Sequence, residues 1–205
     1  MRFLAMVLIL LFTCSPVFAF QNEPDDFQGL KLNSSFEEVK SSELLRDKYY
    51  AGDEKEVDTY DLNLNLSNTY SARLDEYYFD LDEQIQSLHG VPFKVLYFDF
   101  YKDKLYCITV CLGKTVARTE DDKNLNIFYF HELQRIFTEL YGPPTSTYQE
   151  QLEANDSYTR LQWKGDKAII SLRWIHDFPQ LTITSVSLQN EIKDDIYKQA
   201  STEVN

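Results

Sequence analysis

Basic residues, cysteine and histidine are all scarce in this chain of 205 residues. It has 20 Lys and Arg against 33 Asp and Glu, with only three Cys and three His. The shortage of base gives a formal charge of −13. A polyanion such as DNA is repelled by that charge, and the clustered Lys and Arg that would overcome it are missing. An anionic membrane surface is disfavoured for the same reason. Past the first twenty residues no apolar run approaches the roughly 20 residues that span a bilayer. The sequence also holds no G-x-S-x-G elbow, P-loop, dinucleotide fingerprint or zincin helix.

What is present starts with MRFLAMVLILLFTCSPVFAF. Arg2 supplies a basic start, Phe3 to Phe12 a short apolar run, and Val17-Phe18-Ala19 the kind of residues a signal peptidase reads. Residues 1–19 are therefore expected to be a secretory signal peptide, making the product exported, either periplasmic or secreted. Cys14, after Leu11-Phe12-Thr13, offers a competing reading in which the chain is lipid-anchored. Loss of Arg2 with the leader makes the mature chain one charge more negative. The remainder, 43% hydrophobic and 15% aromatic over the whole chain, is long enough for one domain of 20–188, with a polar tail at 189–205.

Cys107 and Cys111 are the two cysteines left. Export favours disulfides, yet four residues along a strand rise about 13 Å, while a disulfide needs Cα atoms within roughly 7 Å. The pair cannot join unless the strand bends, and no third partner remains. A zinc site would need further ligands close by, and His89, His131 and His176 are scattered. Two small half-buried thiols are the expectation, with a bridge to another molecule as the alternative.

Ser34 with Glu37, or Ser35 with Glu38, forms a capping box that opens a helix running to about Leu45. Residues 47–58 are charged and read as loop. Asp61 to Leu66 alternates as a strand, and Tyr77 to Leu81 is a second. Lys94–Phe100 and Leu105–Leu112 form a hairpin around Tyr101–Lys104. On the second arm Tyr106, Ile108, Val110 and Leu112 share the core face, and Cys107, Thr109 and Cys111 the other. A strong helix carries Ile127, Phe130, Leu133, Ile136, Phe137 and Leu140, starting near Asp121, Asp122 and Asn124 and ended by Gly142-Pro143-Pro144. After a polar loop, Tyr158–Lys164 and Lys167–Ile175 make a hairpin about Gly165-Asp166. Asp177-Phe178-Pro179 then turns into Leu181–Leu188, where a phase shift suggests a bulge near Thr184. The expected class is α+β: an antiparallel β-sheet with helices packed on one face, in two α-β-β-β-type units with halves at 27–112 and 125–188. Whether these make one sheet or two subdomains is left open by the pattern.

Two fragments carry a family likeness. They are Gly29-Leu30-Lys31-Leu32 leading into Ser35-Phe36-Glu37-Glu38-Val39, and Leu140-Tyr141-Gly142-Pro143-Pro144 followed by Trp163 in a strand. This layout resembles the β-lactamase-inhibitor-protein-like fold and the small outer-membrane assembly lipoproteins. The resemblance implies a non-catalytic role in binding another protein, and it transfers no residue roles.

Acidic runs at 53–58, 80–83 and 120–122 lack EF-hand spacing and read as solvated loops. Sequons start at Asn33, Asn65 and Asn155. Phe130, Phe137, Trp163 and Trp174 read as core. Tyr97, Tyr158, Arg160 and Arg173 fall on the sheet face away from that core, with the two cysteines, and Tyr and Arg suit a protein-binding surface. The first functional expectation is thus a non-enzymatic, exported binding module, inhibitory or toxin-neutralising in one version, whose acidity steers it to a basic protein partner. No cofactor, metal or disulfide is implied, and the oligomeric state is open. The second expectation is an envelope hydrolase using His131 or His176 with acidic neighbours, which calls for a concave pocket around a histidine.

Overall fold

The computed structural model of the chain describes residues 23–24, 26–45, 50–58, 71–80, 86–153 and 156–202, with the backbone alone at 50, 56–58, 80, 94, 150–153 and 156–158. The expected leader, Cys14, the run 61–66 and the sequons at Asn65 and Asn155 lie outside the described residues.

A small ribbon of β1 (Asp26–Phe27) and β2 (Leu30–Lys31) precedes helix α1 (Phe36–Lys40). Strands β3 (Tyr50–Asp58), β4 (Ser71–Asp80), β5 (Gln86–Leu88), β6 (Val91–Tyr101) and β7 (Lys104–Leu112) follow. The long helix α2 (Glu120–Tyr141) leads into β8 (Ser146–Glu153), β9 (Asp156–Lys164), β10 (Ala168–Ile175) and β11 (Phe178–Ser185), and α3 (Val186–Thr202) closes the chain. Strands β3 to β11 form one nine-stranded sheet in the order β3-β4-β6-β7-β11-β10-β9-β8, with β5 beside β6. Every pairing is antiparallel. The two halves each run helix-then-meander, and their last strands, β7 and β11, pair to join them. One continuous sheet, not two subdomains, is the outcome.

Local chemistry explains most of these elements. Ser35 Oγ accepts from the Glu38 N–H, and Glu38 Oε2 accepts from the Ser35 N–H at 2.8 Å, so the second of the two expected capping boxes opens α1. That helix stops at Lys40, a turn earlier than its pattern suggests. Thr119 and Asp122 form the equivalent box on α2, and Gly142 ends it with φ 83°, a backbone region that favours glycine. The β6–β7 and β10–β11 hairpins close through Lys102-Asp103 and His176-Asp177, all four with positive φ, as two-residue turns of the right twist require.

The core lies on one face of the sheet, under α1 and α2. Val39, Phe130, Leu133 and Phe137 pack on Leu96, Phe98, Ile108, Val110, Trp163 and Leu172. Trp163 is fully buried, meets Phe137 edge-on at 5.7 Å and donates its indole N–H to Gly142 O at 2.8 Å. The apolar stripe of α2 is narrower than its periodicity implies, since Ile127 and Leu140 are exposed. Asn126 takes a buried place instead, accepting from the Lys114 N–H and donating to Lys114 O and Asp177 O.

Several segments depart from expectation for identifiable reasons. Residues 50–58 are an edge strand, not loop. Their charges meet opposite ones on β4, as in Arg73–Glu54 at 3.2 Å and Lys55–Glu76 at 3.4 Å, and a charged edge resists pairing with other chains. Residues 146–153, read as loop, form the other edge. No register shift occurs in β11; the apolar phase changes after Ile183 because Val186 begins a helix. Bulges sit in the β6–β7 pair instead: one in β6 between Phe93 and Val95, and one in β7, where the single step from Asp99 to Phe100 meets two steps from Cys107 to Leu105. Tyr106 is the extra residue and joins Cys107 on the second face rather than Ile108 on the first.

The largest departure is α3. The segment 189–205, read as a polar tail, is helical to Thr202 and buries Leu188, Ile192 and Ile196 at successive turns. These pack on Ala72, Leu74, Tyr101, Tyr106 and Cys107, across one end of the second sheet face. Polar anchors hold the helix there: Tyr101 Oη donates to Asp195 at 2.8 Å, and Lys102 bridges Asp195 and Glu191 at 2.5 and 3.2 Å. The Lys102 ammonium and the Tyr101 hydroxyl hold the Asp195 carboxyl far below the usual carboxylate range.

Candidate functional site

The second face can be read row by row from the register, because directly paired residues project to the same side. One row runs Tyr148, Arg160, Arg173, Gln180, Cys111, Val95 across six strands. The next runs Ser146, Gln162, Ser171, Thr182, Thr109, Tyr97. A third, nearer α3, contains Thr184, Cys107, Asp99 and Glu76. Among the described residues no helix covers the first two rows. The face is therefore divided: one end lies under α3, and at the other Tyr148 is exposed and Arg160, Arg173, Gln180, Gln162, Thr109 and Tyr97 are half-buried, while Val95, Cys111, Ser171 and Thr182 are buried among them.

The sealed end contains an unusual charge cluster. Asp99 is 6% exposed, lies 3.7 Å from the Lys55 ammonium, and has one carboxylate oxygen without a hydrogen-bond partner. Burial pushes its carboxyl up to about 6; Lys55 opposes that rise and Glu76 adds to it. Burial lowers the Lys55 pKa, but Asp99 and Glu76 outweigh it and hold the ammonium above its ordinary value. A raised folded-state pKa means the charged carboxylate is the less favoured form, so the stability Asp99 contributes is full below its ordinary pKa and is lost as pH rises through about 6. Asp99→Asn should accordingly be more stable than the wild type at pH 8, by up to about 3 kcal/mol for a shift of this size, and equal to it at pH 4. Denaturant titrations at both pH values test this. A variant less stable than wild type at pH 8 would show that the Lys55 attraction outweighs the desolvation.

Both cysteines are buried and free. Burial pushes Cys107 up to about 11, with the Asp99 carboxylate adding to the rise, and also raises Cys111 against the nearby Gln180 and Arg173. Thr184 Oγ1 contacts Cys107 Sγ at 3.5 Å. Neither is an activated nucleophile; both are the small buried side chains that strand geometry favours.

At the open end, Arg160 and Arg173 are direct cross-strand partners. Arg173 Nη2 donates to Gln180 Oε1 at 2.7 Å. The Arg160 guanidinium lies over the Tyr148 ring at 5.9 Å, and its Nε is buried without an acceptor. Tyr97 shares the face but not the spot. It is half-buried beside Tyr78, with ring centroids 5.2 Å apart, and three to four strands from the arginines, roughly 14 to 19 Å. Burial raises its phenol pKa, aided by Cys111 and Glu76. Tyr158 lies in β9 opposite Glu150, but its side chain is outside the described residues. Tyr148 and Gln180, which share the row, were not singled out from sequence; the largely polar run 146–153 hid the first, and nothing in a lone glutamine marks the second.

The histidines are dispersed. His89 sits in a turn edge-on to Phe137, and His176 in another. His131, exposed on α2, lines a cavity of about 340 Å³ with Glu120, Lys123, Trp174 and Asp177. The Asp177 carboxylate there pairs with Lys123 at 2.8 Å. Among the described residues no three His, Cys, Asp or Glu side chains are grouped to hold a metal, and no helix is long and apolar enough to cross a membrane.

The chain matches no family model. No curated protein and no solved structure matches it either.

Proposed function

We propose that this protein is a non-enzymatic binding module that holds a protein partner on the open half of its second sheet face, and that it works outside the cytoplasm. The observation that supports this best is the division of that face. One end is sealed by α3, and the other carries an exposed Tyr148 with half-buried Arg160, Arg173, Thr109 and Tyr97. Tyr and Arg are the side chains that dominate binding energy at interfaces. The overall charge of −13 favours approach by a basic partner and makes the association rate fall with salt.

Tyr97→Ala should weaken capture of the partner at least tenfold, whereas Phe128→Ala, on the outer side of α2 and 57% exposed, should leave it unchanged. The reverse pattern would move the interface to α2 and end the proposal. A second reading, hydrolysis at His131, draws support from its cavity. The engagement of Asp177 by Lys123 weakens it, because the neighbouring carboxylate is already committed. Hydrolytic activity of the full chain that vanishes in His131→Ala would favour that reading instead.

A further inference from the structure

The arginine pair raises a question that the binding-face reading does not answer. Like charges placed directly opposite on neighbouring strands destabilise a sheet, and this chain has few bases to place. Cβ atoms of such a pair stand roughly 5 Å apart, so the two guanidinium groups leave their stems close together. Among the described residues Arg160 has no ion-pair partner, and its guanidinium lies over the Tyr148 ring. Its Nε, moreover, is shielded from solvent and lacks an acceptor. A buried donor left unsatisfied is costly, more so when charged.

We infer that the Arg160–Arg173 pair is a carboxylate-binding site, and that the partner held on this face presents an aspartate or glutamate side chain there. This rests on the binding-face reading and specifies its anchor. A carboxylate lying edge-on to a guanidinium accepts two parallel hydrogen bonds. The Arg160 guanidinium offers that fork, while Arg173, steadied from the other side by Gln180, supplies the second positive charge. The Tyr148 ring lies beside the Arg160 guanidinium at 5.9 Å, within the range of a cation–π attraction. A monoanion on a polypeptide also fits the surroundings better than a free dianion. The strongly acidic chain repels the dianion more, and the half-buried Thr109 of the adjoining row offers a hydroxyl to an extended backbone.

The test uses the full chain with labelled arginines and follows the Arg160 Nε–Hε resonance. The probes are a blocked six-residue peptide with one central glutamate, its glutamine twin, and inorganic phosphate. The glutamate peptide should shift the Arg160 resonance saturably, and the glutamine twin should bind at least tenfold more weakly. Arg160→Lys, which keeps charge and fold but loses the fork, should weaken the glutamate peptide by a similar factor, read in that variant through the Arg173 Nε–Hε resonance. Equal affinity for the two peptides overturns the assignment, and so does phosphate binding as tightly as the glutamate peptide. If the assignment falls while Tyr97→Ala still abolishes capture, the anchor is wrong and the binding face stands.

Discussion

Ile192→Asp is expected to lift α3 from the sheet and to expose Cys107, at a cost of about 4 kcal/mol. Ile192 is fully buried at the centre of the Leu188–Ile192–Ile196 ladder, and truncating such a residue alone costs about 2–5 kcal/mol. Aspartate adds a charge that would lie in the apolar cluster with Ala72 and Leu74. The polar anchors at Lys102 and Tyr101 hold Glu191 and Asp195 on either side of Ile192, but exposed ion pairs of this kind contribute about 1 kcal/mol or less, so they cannot keep the helix seated. Because α3 is terminal, the cheapest response is local undocking, with the rest of the sheet intact. Alkylation of Cys107 under native conditions reports it. The wild-type thiol is buried and held up to about 11, so the variant should react at least a hundredfold faster, both by access and by the return of its pKa toward normal. A Cys107 as slow as in the wild type would show that α3 does not cover it.

Trp163→Ala should be the most damaging single change on the first face, costing about 3–5 kcal/mol. The indole lies where α2 presses on β9, against Phe137, and no smaller side chain fills that space. It also fixes the end of α2 through its bond to Gly142 O. Trp163→Phe separates the two contributions. It keeps most of the apolar volume and removes the donor, so about 1 kcal/mol of loss is expected. Losses of equal size in both variants would mean that the hydrogen bond, not the packing, dominates.

The elements with strong apolar periodicity were legible in the sequence, while those whose burial comes from partners elsewhere were not. The stripe Phe130–Leu133–Phe137 set α2 and the Ser35–Glu38 capping box opened α1, and the parity of Cys107, Thr109 and Cys111 placed them on the second face. The edges β3 and β8 carry charge and amide side chains because only one side of each is paired, which reads as loop. Helix α3 buries only three apolar residues, four apart, and that spacing was the available signal. The arginine pair shows a subtler limit. A turn at Gly165-Asp166 would set Arg160 opposite Ser171. The actual turn is centred one residue later, with the Gly165 N–H bonded to Ala168 O at 2.9 Å and the Glu23 carboxylate accepting from the Asp166, Lys167 and Ala168 N–H groups. Moving a turn by one residue shifts the partner by two, which preserves the face and changes the neighbour. Face membership was therefore readable; adjacency depended on a contact from residue 23.

The central claim is that the open rows of the second face are where another molecule sits. It is tested most directly by placing a photoreactive side chain at Thr109, in the middle of those rows, and separately at Phe128 on the outside of α2, then irradiating each variant in its native setting. A single strong adduct from position 109 with none from 128 is the predicted result. An adduct from 128 with none from 109 would contradict it.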